Sequence, residues 1–365
     1  MRFLPLIALL TYAAFAADVS FEGALEADYA NHLEKNFTVK NAANHELRLK
    51  MNVDMDENVR LVIGAASISP FAKVRHRYEA TPISSDERWA PFVFDGISLE
   101  WTIGRGLTFI FGDIIYSFGN FNYYYWRNSN YYAAVLPTQG LRGLGARLGE
   151  DGYVYVGASD SNDKSGRIVA SYALALPGFN KVNNKFTLAP MLDLIKGGGR
   201  DHRYTVGLDA NYSRSYTDLN YAIRGIYGLH PSKGDLVNTF TIEPSFNYKS
   251  FSLASTCYWA VLPDPESVSE GSKIITVDDT YAPDEKLIYI EPSYAFNKKF
   301  SMGLGFEWHK PGDSEEAFEK DNWFLIAPTG YLYPTAGVDL AFWLSYTIRK
   351  GYNPPGFGIS SSVKF

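Results

Sequence analysis

From Asp18 to Tyr29 the chain reads DVSFEGALEADY, with Val19, Phe21, Gly23, Leu25, Ala27 and Tyr29 alternating with Ser20, Glu22, Ala24, Glu26 and Asp28. A period of two places alternate side chains on opposite faces of an extended strand, one apolar and one polar. The pattern returns in HELRLKMNV (45–53), RYTVGLDANYS (203–213), NTFTIEPSFNY (238–248), KFSMGLGFEWH (299–309) and GVDLAFWLSYTI (337–348). About eighteen such segments follow one another, most about nine to twelve residues long, where strands of soluble proteins usually run about five or six. Helical periodicity is almost absent.

The connectors alternate as well. Short turns at 55–58, 103–106, 148–152, 248–250, 297–299 and 334–337 separate longer polar or aromatic stretches near 30–43, 68–91, 116–139, 229–237, 262–284 and 309–321. An up-and-down meander with its long loops at one end gives this rhythm; a Greek-key sandwich does not. The first sixteen residues, MRFLPLIALLTYAAFA, join a basic start (Arg2) to a short apolar run and an Ala14-Phe15-Ala16 end. That is the form of a secretory signal peptide, too short to span a membrane, so 1–16 is expected to be removed and 17–365 to form the barrel. No later uninterrupted apolar run of about eighteen residues supplies a spanning helix.

Long strands with an apolar face rimmed by Tyr, Trp and Phe, behind a secretory leader, fit a transmembrane β-barrel, in which closure of the sheet pairs every backbone group. The chain ends in ISSSVKF, with Phe357, Ile359, Val363 and Phe365 on one face. An alternating last strand with a terminal Phe resembles bacterial, Gram-negative outer-membrane proteins of the porin type. The resemblance implies residence in the outer membrane, lipid around the barrel, and recognition of the strand ending in Phe365 by the assembly machinery. If both termini lie on the periplasmic side, the strand number is even. Strands near 18–29, 44–54, 58–66, 93–103, 106–116, 139–148, 152–159, 166–175, 185–194, 202–213, 217–228, 237–248, 250–261, 286–296, 299–309, 322–333, 337–348 and 356–365 give eighteen. The ninth, KFTLAPMLDL, carries the weakest pattern; without that hairpin the count is sixteen. A barrel of this width leaves a water-filled lumen unless loops fill it.

This placement makes 116–139 the third outward loop, which folds into the barrel and sets the constriction in the porins this chain resembles. Within it FNYYYWRNSNYY holds seven aromatic residues and no acid: Phe121, Tyr123, Tyr124, Tyr125, Trp126, Tyr131 and Tyr132. Flat apolar ring faces suit the C–H faces of pyranose sugars, with Arg127, Asn122, Asn128 and Asn130 to bond hydroxyls; Trp343 extends such a path if it faces the lumen. Two blander readings stay open. Tyr-rich loops also pack against one another, and Tyr131 and Tyr132 also suit an interfacial aromatic belt.

The polar faces give a second pattern. Strands two to eleven carry Arg48, Lys50, Arg60, Arg147, Arg167, Arg203 and Arg224, joined by Arg127 of the loop, with Glu46, Glu100 and Asp209 as exceptions. Strand one and strands twelve onward carry Glu22, Glu26, Asp28, Glu243, Glu291, Glu307 and Asp339, with Lys364 as the exception. The expected result is a basic wall opposite an acidic wall, with a transverse field that favours polar solutes; local ion pairing is the competing reading.

Other chemistry finds little footing. Six scattered histidines and one cysteine, Cys257, make no zinc motif, and no Ser lies in a nucleophile signature. DSNDKSG (160–166) lacks a full calcium-ligand set, GGG (197–199) lacks a phosphate-loop Lys, and the acidic 313–321 reads as a solvated loop. No enzyme, cofactor or metal is expected, and a net charge of −6 argues against nucleic acid as partner. No plug domain precedes the first strand, so energy-coupled transport of the plugged type is not expected. The expected function is a passive channel for small hydrophilic solutes, carbohydrates in its sharper form. The alternative is a surface-binding or adhesion barrel whose loops close the lumen. Many porins of this kind are homotrimers, and the sequence shows no decisive apolar flat side.

Overall fold

A computed structural model describes residues 18–33, 39–68, 73–74, 80–81, 93–104, 106–123, 133–159, 165–176, 183–197, 200–232, 235–261, 285–310, 322–348 and 355–365. The leader read at 1–16 lies outside the described residues. Eighteen antiparallel strands close into one barrel: β1 (Asp18–Leu33), β2 (Val39–Asp54), β3 (Val59–Ile68), β4 (Val93–Ile103), β5 (Leu107–Asn120), β6 (Ala133–Leu148), β7 (Gly152–Ser159), β8 (Ser165–Tyr172, resuming at Leu174–Ala175), β9 (Asn184–Gly197), β10 (Arg200–Ser215), β11 (Leu219–Ser232), β12 (Asp235–Tyr248), β13 (Phe251–Val261), β14 (Lys286–Asn297), β15 (Phe300–Lys310), β16 (Trp323–Thr335), β17 (Val338–Ile348) and β18 (Pro355–Lys364). Each strand pairs with its sequence neighbours, and a two-residue ladder, Lys73–Val74 with Ala80–Thr81, lies in the second outward connection.

The ninth strand is real. It pairs with β8 from Ser165↔Gly197 to Ser171↔Met191 and with β10 from Asn184↔Arg214 onward, which rules out the sixteen-strand count. Several strands run farther outward than the alternation reached. β1 and β2 stay paired up to Leu33↔Val39, and β11 and β12 up to Ser232↔Asp235, so the expected long connections at 30–43 and 229–237 shrink to 34–38 and 233–234. The cause is that backbone pairing continues where neither face needs to be apolar, and a two-residue hydropathy period no longer marks it.

Closure joins first and last strands. β1 meets β18 from Ala24↔Lys364 to His32↔Gly356, and Gly23 and Phe365 exchange N–H···O bonds of 2.8 and 3.0 Å. The Phe365 ring lies over Gly23, where an added Cβ would come within 2.5 Å of ring carbon Cζ, an aromatic cover of the kind that protects glycine backbone in sheets.

Outward positions expose large apolar side chains, among them Phe21 (64%), Leu144 (58%) and Ile359 (55%), as a lipid-facing band requires. Inward positions are not uniformly wet. Ile110, Ile114 and Tyr116 of β5 join Leu141, Tyr155 and Ile226 in a buried apolar cluster inside the barrel. The barrel therefore has a packed sector, and the sequence signals it: LTFIFGDIIYSF (107–118) is apolar on both faces.

Gly23→Leu places a branched side chain where the Phe365 ring lies. We expect a loss of about 1–3 kcal/mol, typical of overpacking, read as a lower urea midpoint for the heat-modifiable folded band, with Gly23→Ala losing less.

Candidate functional site: the inward third connection and the charged inner wall

The outer ends of β5 and β6 leave the wall. Their pairing slips at Tyr116/Phe118 and again at Phe118/Asn120, and Gly119 adopts a left-handed φ of 73° with Ile226 and Val135 methyls 3.0 Å from where a Cβ would stand. Only glycine satisfies both that φ and that approach without strain. The chain then crosses to β11–β13. Phe121 is 8% exposed and its ring lies 5.1 Å from that of Tyr258.

Glu243 fastens the crossing. Its carboxylate accepts the backbone N–H of Asn122 (2.6 Å), Asn122 Nδ2 (2.9 Å), Thr256 Oγ1 (3.1 Å) and Arg224 Nη1 (3.1 Å). Arg224 Nη1 also donates to the Asn120 carbonyl at 2.7 Å, and its Nη2 to Asp209 at 2.5 Å. The single Thr256 hydroxyl proton is shared between Glu243 and the Tyr123 carbonyl, both within hydrogen-bond reach of Oγ1. A carboxylate 1% exposed is costly unless its lone pairs are occupied by charge-assisted bonds, and here four donors occupy them. On the return side Thr239 Oγ1 donates to the Ala134 carbonyl, with His230 Nε2 3.1 Å from the same oxygen. The third connection is thus held against the inner wall on both of its described flanks.

This geometry changes the role of one expected stacking ring. Phe121 is packed into the wall and offers no open face to a solute. Tyr123 packs partly buried against the same cluster. Trp343 is half-buried on the inner side of β17, between outward Phe342 (42%) and Leu344 (63%). Tyr124, Tyr125, Trp126, Arg127, Asn128, Asn130, Tyr131 and Tyr132 lie outside the described residues, as do 160–164, 198–199 and 313–321.

The expected basic wall is not of one sign. Lys50 stands 3.7 Å from Glu22, Arg60 2.6 Å from Asp54, Arg147 3.4 Å from Glu100, Arg167 2.6 Å from Asp193, and Arg224 bridges Asp209 and Glu243. Strand-to-strand register sets these pairs: Asp54 lies opposite Arg60, and Arg60 opposite Glu100. Opposite charges on adjacent inward positions attract locally, so the basic sector is largely neutralised in place. Arg48 is exposed and also interacts. The side chains of Glu26, Glu46, Asp28 and Arg203 lie outside the described residues. On the acidic side Asp339 is exposed. Glu291 accepts the hydroxyls of Tyr289 and Tyr331, and Glu307 is 1% exposed.

Wet and dry sectors separate these charges. Side chains of Glu22, Lys50, Arg60 and Arg147 are 63%, 47%, 47% and 41% exposed, whereas Arg167 and Asp193 are 2% and 1% exposed. Arg167 holds Asp193 with both Nε (2.8 Å) and Nη2 (2.6 Å), its guanidinium 5.4 Å from the centre of the Tyr116 ring. Sequence reasoning missed Asp54 and Asp193, which fall on the inward parity of their strands, and gave Asn122 a solute-bonding role where the structure has it donate to Glu243, a partner 121 residues away.

Asp193→Ala leaves a buried guanidinium without its carboxylate. We expect a loss of about 3–5 kcal/mol in barrel stability by urea unfolding, and a smaller loss when Arg167→Met and Asp193→Leu are combined, because breaking a buried pair costs more than replacing it.

No family model matches the sequence, and no curated protein matches it. Solved structures do. OccAB4 of Acinetobacter baumannii superposes with a TM-score of 0.56 at 9% identity, covering 95% of this chain and 98% of its own. OprD of Pseudomonas aeruginosa gives 0.57 at 10% identity, covering 95% of both chains. OpdK of Pseudomonas aeruginosa, crystallised with vanillate, gives 0.54 at 11% identity, covering 95% and 98%. With its eighteen strands and closed antiparallel sheet, the chain has the β-barrel fold of these OprD and Occ structures.

Proposed function

We propose that the barrel is a passive channel for small hydrophilic solutes, with carbohydrates the preferred class. The observation that carries this reading is the fixing of the third connection to the inner wall through Glu243, Arg224, Thr256 and Thr239. A surface-binding barrel needs that loop to project; a channel needs it inside, where it narrows the path. The exposed Glu22, Lys50, Arg60 and Arg147 line the rest of the path with paired charges, which suits hydroxylated solutes better than apolar ones. The ring-rich segment 123–132 continues from the anchored stretch, and its stacking faces with adjacent amides match a sugar's C–H faces and hydroxyl rim.

Single-channel recording of the refolded protein in a planar bilayer tests this. We expect a stable current, blocked reversibly by oligosaccharide, with Trp126→Ala and Tyr124→Ala each weakening the block roughly fivefold, the equivalent of about 1 kcal/mol of stacking. Vanillate, the molecule in the OpdK crystal, is the comparison solute: block by vanillate and none by sugar moves the preference to aromatic carboxylates. Glu243→Gln combined with Asn122→Ala is expected to loosen the connection and raise conductance and its noise. A well-folded barrel without current overturns the channel reading in favour of surface binding.

A further inference from the structure

The rim at the short-turn end of the barrel changes sign from one side to the other. Asp56 and Glu57 stand between β2 and β3, and Glu150 and Asp151 between β6 and β7, all of them exposed. Across the barrel the rim is basic. Arg214 closes β10, Lys249 stands between β12 and β13, and Lys298 and Lys299 stand between β14 and β15, with Asp218 the one acid among the described turn residues of that sector.

Arg214 is placed for an anion that the chain itself does not supply. Along β10 Thr205 is buried (6%) and Tyr204 is 41% exposed, so the even positions face outward and Arg214 with them. It lies two residues beyond Tyr212, ~5 Å farther from the apolar band at a tilted rise of ~2.5 Å per residue, which is headgroup depth. Its register neighbours, Asn184 on β9 and Tyr221 on β11, are neutral. The guanidinium carbon stands 4.7 Å from the centre of the Tyr216 ring, the Tyr221 hydroxyl bonds to the group, and the buried Nε has no hydrogen-bond partner. A buried donor left unbonded is costly; a phosphate oxygen meeting the Nε edge of the planar guanidinium supplies that bond.

Lys249 is an independent sign of the same demand. Its φ is 52°, and every other positive φ among the described residues belongs to glycine. A lysine in the left-handed region is strained where glycine is not, so the turn itself gives no reason for this side chain. The Lys249 N–H donates to the Asp218 carbonyl at 3.0 Å, which ties the turn to that of Tyr216 and sets the lysine beside the Arg214 hairpin. Its ammonium lies 5.4 Å from the centre of the Tyr248 ring, and Lys249 is exposed.

We infer that the short-turn rim of β10–β15 binds anionic phospholipid, with Arg214 and Lys249 on the headgroup phosphate. Exposed rings on the outward side stand next to the cations: Tyr216 (46%), Tyr248 (49%), Tyr294 (49%) and Phe296 (57%). A soluble anion gains nothing from them, whereas a lipid sets its glycerol and upper acyl chains against such rings while its phosphate meets the bases. An aromatic belt alone surrounds a barrel evenly and carries no sign; the acidic turns of β2–β7 against the basic ones of β10–β15 give the lipid a preferred side. The inference rests on the barrel standing in a bilayer and not on the solute it carries.

Native mass spectrometry of the refolded, detergent-held barrel, given equal amounts of phosphatidylglycerol and phosphatidylcholine, decides it without any conductance reading. Phosphatidylglycerol adducts are expected to exceed phosphatidylcholine adducts about fivefold, the equivalent of about 1 kcal/mol for a cation at an anionic headgroup. Arg214→Gln with Lys249→Gly is expected to bring the ratio close to one, and Glu57→Gln with Glu150→Gln to leave it unchanged. Lys249→Gly alone is expected to lower the ratio while keeping or raising the urea midpoint, because glycine suits that φ; these opposite movements separate a lost headgroup contact from a damaged fold. A ratio near one in the parent, or one that survives the Arg214 and Lys249 changes, overturns the proposal. So does inorganic phosphate bound through the same two residues with no preference among lipids, which assigns them to a soluble anion.

Discussion

A sheet in hydrocarbon must leave no backbone N–H or C=O unpaired, and everything else in this molecule follows from how that demand is met. An open edge at mid-membrane forfeits several kcal/mol per unpaired group, so β1 must find β18. The Gly23–Phe365 exchange and the nine-residue ladder above it do this. Once the sheet is closed, outward faces have a single solvent, lipid, and inward faces have a choice between water and protein.

The interior uses both. Around β1–β4 the inner side chains are charged, exposed and paired across neighbouring strands. Around β5–β13 the outer ends of β5 and β6 fold in and replace water with Phe121, Val135 and Leu136. That packing brings polar backbone with it, and backbone brought into a dry space needs partners. Glu243, Thr256, Thr239 and Arg224 supply them. The buried polar residues of β11–β13 are therefore the counterpart of the apolar ones on the inward connection: neither set is stable in place without the other.

Strand order and closure were legible in the sequence because lipid on one side and a mostly polar interior on the other enforce a period of two, and Phe365 marks the last strand. The positions of outer strand ends were not, since above the lipid band neither face is constrained. Among the site residues, Arg224 and Glu243 stood out as inward charges, but their role did not, because nothing in IEPSFNY announces that Asn122 will bond to it. The matching IEPSYAF reads alike, yet its Glu291 receives tyrosine hydroxyls. Phe121 looked available for stacking because a ring's exposure depends on what crosses above it. Pairing on the basic wall was hidden for a different reason: Asp54 and Asp193 lie at the right parity, but only the register of adjacent strands shows that they stand beside Arg60 and Arg167.

Three Arg–Asp pairs of similar geometry show how environment sets the worth of one contact. Arg60–Asp54, 2.6 Å apart and roughly half exposed to the lumen, sits in high dielectric, where such a pair contributes about 0–1 kcal/mol. Its value lies in keeping the lumen polar without a net local charge. Arg167–Asp193, at the same 2.6 Å but buried, fixes β8 to β9 within the packed sector and is costly to break on one side only. Arg142–Asp113, again at 2.6 Å, faces outward, with the Arg142 side chain 71% exposed and Asp113 Oδ2 also accepting the Ile97 N–H. Distance is the same in all three; the surroundings decide which is a solvated surface, which is a structural tie and which stands on the outward face.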